Sequence, residues 1–126
     1  MLSGRTALIV EAQYLIALDL ENLLAPFSPE TINIAQNAAK AMEQRSSWQD
    51  CALAIVEVER DLPEQIAFIG ELQRDGVAVI GLTADMSLPQ RVNWLAGTSI
   101  LVKPVRSDDF VAAVESVLRR EAPQNE

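Results

Sequence analysis

Four residues with chemically active side chains each follow directly on a short apolar run of the sequence: Glu11, Glu57, Thr83 and Lys103. Two carboxylates, a hydroxyl and an ammonium group can together bind a cation or a phosphate, because carboxylates ligate hard cations and the other two donate hydrogen bonds. A polar residue at the end of an apolar run is common for any one position. Four such residues together indicate a shared site.

The apolar runs that precede these residues predict strands. Residues 6–10, 52–56, 77–82 and 99–102 are almost continuously apolar, which is typical of strands buried on both faces of a sheet. Residues 31–34 alternate and predict a shorter strand. The segments between the strands are predicted to be helical, and the first of them has leucines at three- and four-residue spacings that begin at Leu15. The predicted helices span residues 12–24, 36–45, 63–75, 86–95 and 108–120.

Five alternations of strand and helix predict an α/β fold with a parallel sheet covered on both faces. We expect a flavodoxin-like, doubly wound sheet of five strands in the order 2-1-3-4-5 with five flanking helices. Ligands of such folds bind at the carboxyl ends of the strands, where the four polar residues stand. We expect one domain over residues 1–120, followed by a polar tail over residues 121–126.

Composition excludes several kinds of chemistry. The 126 residues contain no histidine, so histidine-based acid–base catalysis and histidine-ligated metals are excluded. The single cysteine, Cys51, cannot form an internal disulfide and favours a reducing, cytoplasmic setting. A net charge of −8 argues against nucleic acid and anionic membrane surfaces as partners. We therefore expect a binding protein and not an enzyme.

The order of elements and the motifs at the strand ends resemble the receiver domain of two-component response regulators over residues 5–120. Residues 7–11 (ALIVE) are similar to the first strand with its acidic end, and residues 53–57 (LAIVE) to the strand that carries the phosphoacceptor. Thr83 follows Leu82 and precedes Ala84, like the family's switch hydroxyl. Lys103-Pro104 after an apolar strand is similar to the family's Lys-Pro signature.

This resemblance implies a chemistry. In the family, an aspartate at the position of Glu57 accepts a phosphoryl group while acidic side chains hold Mg²⁺, and residues matching Thr83 and Lys103 contact the phosphoryl oxygens. A metal ion and a lysine neutralise charge on the transferred group. The residues left to hold a metal here would be Glu11, Glu57 and Glu59. The run Glu57, Glu59 and Asp61 could also form an acidic metal cup, which competes with a simpler interpretation in which Glu59 and Asp61 belong to a solvated loop.

Three positions depart from the family pattern. The phosphoacceptor position carries Glu57, whose carboxylate reaches roughly 1.5 Å further than that of aspartate, and displacements on the order of 1 Å can cost about 10²-fold in rate. Ala12 occupies the place of the acidic residue that usually contacts the metal most directly. Ile100 replaces the aromatic residue that usually rotates on phosphorylation. We therefore expect no cofactor and an impaired or absent phosphorylation.

Three functional hypotheses remain open on the sequence alone. The one we favour is a receiver that no longer accepts phosphate, in which Glu57 pairs with Lys103, partly mimics a phosphoryl group and leaves the domain to act as a protein-interaction module. In the second, the domain still binds Mg²⁺ and is phosphorylated at Glu57. The third is an unrelated flavodoxin-like binding domain.

Partners are expected to be signalling proteins, such as a histidine kinase or another regulator. In receivers the fourth helix, fifth strand and fifth helix form a common dimerisation and contact face. Here that face would carry Arg91, Trp94 and Arg106 among mixed charges, which suits a homodimer across a two-fold axis. Trp48 is either a second interface anchor or a residue that packs at the margin of the core.

Overall fold

The computed structural model describes residues 2–58, 63–84, 99–103 and 105–121. Its five strands are β1 (Thr6–Val10), β2 (Thr31–Ala35), β3 (Cys51–Glu57), β4 (Ala78–Thr83) and β5 (Ser99–Val102). The described residues form four α-helices, which are α1 (Tyr14–Leu24), α2 (Ala38–Glu43), α3 (Pro63–Arg74) and α4 (Ser107–Glu121). Two short 3-10 helices, Ala25–Phe27 and Arg45–Asp50, precede β2 and β3.

The strands form one sheet in the order β2-β1-β3-β4-β5, and every pairing is parallel. This confirms the predicted fold class and strand order. The register places Ile55 of β3 between Ile9 of β1 and Ile80 of β4, so branched aliphatic side chains meet across the centre of the sheet. The helix predicted over residues 86–95 lies outside the described residues. Of the tail predicted over residues 121–126, Glu121 is described and ends α4, and the other residues lie outside the described part of the chain.

Successive residues of the central strands point to opposite faces of the sheet, and both faces are buried. Leu53 and Ile55 of β3 pack on the face covered by α1 and α4, where Phe110 is fully buried. Ala54 and Val56 pack on the face covered by α2 and α3, together with Phe68, Ile69 and Leu72. This double burial explains why the strands are continuously apolar. None of the described helices combines the length and apolarity needed to cross a lipid bilayer.

The structure corrects one detail of the predicted first helix. Its buried residues are Ala17, Leu20 and Leu24, which recur at three and four residues and form one stripe. Leu15 precedes Ala17 by two residues and therefore lies about 200° away around the helix. Its side chain is 75% exposed, beside Tyr14 at 68%, although the leucine spacing had placed Leu15 in the buried stripe.

Two other residues, Trp48 and Cys51, are buried at the margin of the core. Trp48 is buried at 3% exposure, and its ring packs edge-on against Phe68 with 5.9 Å between centroids. It therefore fills the core margin and is not an exposed interface anchor. Cys51 begins β3 and is buried, and this burial raises the pKa of its thiol to about 11. A thiol that stays protonated at neutral pH is a weak nucleophile, so Cys51 is a packing residue.

Two leucine truncations test the burial pattern. Leu53→Ala should lower the free energy of unfolding by about 2–5 kcal/mol, because the fully buried side chain leaves a cavity. Leu15→Ala should change it by no more than about 0.5 kcal/mol, since the side chain is exposed. Urea denaturation followed by circular dichroism measures both. Equal losses for the two variants would contradict the assigned helix phase.

Candidate functional site

The sheet brings the four strand-end residues to one edge. Glu11 directly follows β1, Glu57 and Thr83 are the last residues of β3 and β4, and Lys103 directly follows β5. Backbone hydrogen bonds continue the sheet past the strand ends, because the Lys103 amide donates to the Thr83 carbonyl at 2.7 Å and the Val58 amide to the Leu82 carbonyl at 2.7 Å. The four residues therefore lie at the carboxyl edge of the sheet, where the sequence analysis places them.

Lys103 lies between the two carboxylates. Its Nζ is 3.1 Å from Oε1 of Glu11 and 3.0 Å from Oε2 of Glu57, both within hydrogen-bonding distance. The Glu11 side chain is fully buried, while those of Glu57 and Lys103 are 14% and 17% exposed. The ammonium group thus compensates two carboxylates at the inner end of the crevice. This confirms the predicted pairing of Lys103 with Glu57, and Glu11 is the second partner that the prediction allowed for.

The loop between β1 and α1 supplies the remaining partners of both carboxylates. The Ala12 amide donates to Oε1 of Glu57 at 3.3 Å, and the Gln13 amide donates to Oε2 of Glu11 at 3.2 Å. Each of the four carboxylate oxygens therefore accepts a hydrogen bond. Gln13 is the N-cap residue of α1, so the partial positive charge of the helix start lies beside the acidic pair.

The environment shifts the three titratable groups in different directions. Burial raises the pKa of Glu11 above its ordinary value, because desolvation outweighs the bonds from Gln13 and Lys103. Burial also acts to raise the pKa of Glu57, but the ammonium of Lys103 and the Ala12 amide lower it on balance. For Lys103, desolvation acts to lower the pKa, and the bonds to Glu57 and Glu11 raise it on balance.

A second polar contact fixes the end of β3. The Nε2 amide of Gln65, in α3, donates to the backbone carbonyl of Glu57 at 3.2 Å. Its buried Oε1 has no hydrogen-bond partner in the described part of the chain. Gln65 and Glu57 line a cavity of about 200 Å³ together with Ala12, Asn37 and Phe68. Sequence reasoning missed Gln65 because a glutamine inside a helix carries no motif; its spacing of eight residues from Glu57 is the only signal.

Thr83 and Ile100 occupy the remaining positions of the phosphoryl frame implied by the resemblance. The Thr83 side chain is fully buried, so it does not face solvent. Ile100 is partly buried and packs against the core cluster on the side of the sheet covered by α2 and α3. On the opposite side, Lys103 also borders an apolar cavity of about 420 Å³ between α1 and the segment after β5.

The structure describes only some of the other residues that the sequence singled out. Glu59, Arg91 and Trp94 lie outside the described residues, as does Asp61. Arg106 is described and exposed, with its Nε 3.5 Å from Oδ1 of Asp108. Within the described ranges, no group of three or more acidic, cysteine or histidine side chains is placed to hold a metal ion.

Comparison with solved structures relates this architecture to known proteins. A sensor protein from Polaromonas sp. JS666 is 24% identical, with a TM-score of 0.74 and coverage of 94% of this chain and 98% of that one. A response regulator receiver protein from Sinorhizobium medicae WSM419 is 20% identical, with a TM-score of 0.75 and coverage of 94% and 97%. A two-component response regulator from Clostridium difficile is 17% identical, with a TM-score of 0.75 and coverage of 94% and 99%.

The chain therefore has the CheY-like fold of response regulator receiver domains. No protein-family model matches the sequence, and the comparison with curated proteins gives no match. At these identities the structural similarity establishes the fold, and the function must be argued from the site.

The opposite pKa shifts of the two carboxylates predict opposite effects of their neutral variants on acid stability. The lowered pKa of Glu57 contributes stability above its ordinary value of 4.5, and this contribution is lost as the pH falls through the folded-state pKa. The raised pKa of Glu11 has the reverse sign, so its ionisation reduces stability as the pH rises above 4.5.

We therefore expect Glu57→Gln to lose less stability than the wild type between about pH 5 and pH 3. We expect Glu11→Gln to lose more stability over the same interval. The wild type gains stability as Glu11 becomes protonated, and the variant lacks this gain. Urea denaturation at closely spaced pH values gives both slopes. Slopes that change in the same direction for the two variants would contradict this assignment.

Proposed function

We propose that the chain is a receiver-like signalling domain that acts by binding other proteins and does not accept a phosphoryl group. The observation that carries this proposal is the closed arrangement at Glu57. Both oxygens of its carboxylate are engaged, one with the Lys103 ammonium and one with the Ala12 amide. A carboxylate held in this way is not free to attack a phosphoryl donor without losing a partner.

The two substitutions in the family pattern act together in this arrangement. Glu57 is one methylene longer than aspartate and reaches the backbone of the β1–α1 loop, where Ala12 offers an amide and no acidic side chain. An attacking oxygen must lie close to its ideal position, and a displacement on the order of 1 Å costs about 10²-fold. The site therefore keeps the lysine and the threonine of the receiver frame without a well-placed acceptor.

Glu57 also resembles, in part, the group that phosphorylation would add. It directs a negative charge at Lys103, as a phosphoryl group would, and Thr83 at the end of the next strand is buried rather than solvent-facing. A carboxylate has one charge and two acceptor oxygens, whereas a phosphoryl group has about two charges and three oxygens. We infer that Glu57 holds the domain in one signalling state with partial mimicry of phosphorylation.

Phosphorylation is tested directly with acetyl phosphate and Mg²⁺, followed by intact-mass measurement. The wild type should gain no phosphoryl group. Ala12→Asp/Glu57→Asp should gain one, because the two changes restore a metal ligand and a shorter acceptor beside an intact Lys103. Glu57→Gln is the control that locates any modification, and chelation with EDTA should abolish the gain of the double variant.

Two other outcomes separate the alternatives. A stoichiometric gain on the wild type that is lost in Glu57→Gln would establish phosphorylation at Glu57 and overturn the proposal. A double variant that folds, as judged by circular dichroism, and still accepts no phosphoryl group would favour an unrelated binding domain with the same fold, because a receiver frame should be repaired by these two changes.

Protein partners need an exposed surface, and the described residues offer one beside the crevice. Tyr14 and Leu15 are 68% and 75% exposed at the start of α1, directly after the loop whose amides bind Glu57 and Glu11. Exposed aromatic and aliphatic side chains next to a charged rim are typical of contact sites. We propose that this end of α1 contacts a signalling partner, such as a histidine kinase or another regulator.

A partner-capture experiment compares the α1 surface with the surface predicted around Trp94. Tyr14→Ser/Leu15→Ser should weaken binding of partners from the native host by about 30-fold or more, the effect of losing one hot spot. Met42→Ser, which changes another exposed apolar residue on α2, should leave recovery unchanged. Loss of partners with Trp94→Ala and full recovery with the α1 variant would assign the contact to the other surface instead.

A further inference from the structure

The receiver fold implies a divalent cation in this crevice, and the donor set can be tested against that expectation. Mg²⁺ requires hard oxygen ligands in nearly octahedral geometry and gives up its water reluctantly. The described carboxylates that contact Lys103 are those of Glu11 and Glu57, and residue 12 contributes a methyl group. All four carboxylate oxygens already accept a hydrogen bond from Lys103, Ala12 or Gln13.

The charge at the centre of the acidic pair is supplied by the protein itself. Nζ of Lys103 lies 3.1 Å from Glu11 and 3.0 Å from Glu57, so it contacts both carboxylates at once. We propose that the Lys103 ammonium takes the place of the divalent cation, and that the crevice is closed to Mg²⁺ for as long as this lysine bridges Glu11 and Glu57.

The backbone amides explain how one positive charge serves two carboxylates. The second negative charge is stabilised by the Ala12 and Gln13 amides at the start of α1, where the helix dipole is positive. A metal ion entering this site would have to displace the ammonium or an amide. Displacing the ammonium would leave a divalent cation and an ammonium group close together in a largely buried site, where their repulsion is unfavourable.

This inference goes beyond the proposed function and can fail independently of it. Phosphorylation is measured by mass, whereas cation binding is measured on Lys103 itself. Uptake of Mg²⁺ by an unphosphorylated wild type would overturn the inference and leave the proposed function standing.

The composition provides a direct probe, because Lys40 and Lys103 are the only two lysines of the chain. In protein labelled with ¹³C,¹⁵N-lysine, NMR should resolve two side-chain Nζ signals, which Lys40→Met assigns. Titration with Mg²⁺ to millimolar excess should leave the Lys103 signal unchanged. A saturable shift of Lys103 with an unshifted Lys40 would show that the ion enters the crevice, and would overturn the inference.

A variant without the bridge tests the inference from the opposite side. In Lys103→Met, two carboxylates lose their shared cation, so at pH 8 Mg²⁺ should raise the Tm by roughly 3 °C or more at saturating concentration. The wild type and the exposed-lysine control Lys40→Met should show no saturable gain. If Lys103→Met folds and its Tm does not rise on addition of Mg²⁺, the result would contradict the proposal. If this variant does not fold, the titration of wild-type Lys103 decides the matter.

Discussion

The Lys103 ammonium compensates two carboxylates at an edge of the sheet where water is largely excluded, and the geometry of the site depends on that contact. Opposite charges about 4 Å apart attract by roughly 4 kcal/mol at an effective dielectric constant of 20, before the cost of desolvation. Removing one partner of such a group leaves an unpaired charge, which is why the arrangement is sensitive to Lys103. The contact also fixes position, because it joins the segment after β5 to the ends of β1 and β3 across the sheet.

Parallel strands make this convergence unavoidable. Their carboxyl ends lie at one edge, so polar residues that end four strands meet whether or not the site is functional. Under the proposed function, this site differs from a phosphoryl-accepting one in its fine geometry. Receivers have an aspartate acceptor at the position of Glu57 and an acidic metal ligand at the position of Ala12. Here the Glu57 carboxylate instead accepts a hydrogen bond from the Ala12 backbone amide. Lys103 and Thr83 are retained at the strand ends, and Lys103 is paired with two side chains of the protein itself, Glu11 and Glu57.

The strands and the polar residues at their ends could be predicted from the sequence, because both follow from patterns that are local along the chain. The strand order and the Lys103–Glu57 pairing were predicted from the resemblance to flavodoxin-like folds and to receiver domains. Continuous apolar runs identified the strands, and the residues after them identified the edge. The bonds from Ala12 and Gln13 could not be predicted in this way, since they depend on the conformation of the β1–α1 loop. The exposure of Leu15 was missed because leucine spacing alone does not fix which stripe of α1 faces the sheet.

The contact of Lys103 with Glu11 and Glu57 has a consequence for regulation. In a domain that is switched by phosphorylation, the crevice must change its charge and its contacts when the phosphoryl group arrives. Every oxygen of Glu11 and Glu57 already accepts a hydrogen bond, so under the closure proposed at Lys103 a cation or a phosphoryl group would have to displace one of these donors. The signal carried by such a domain would then vary with the amount of the protein or of its partner, because its own crevice stays in one state.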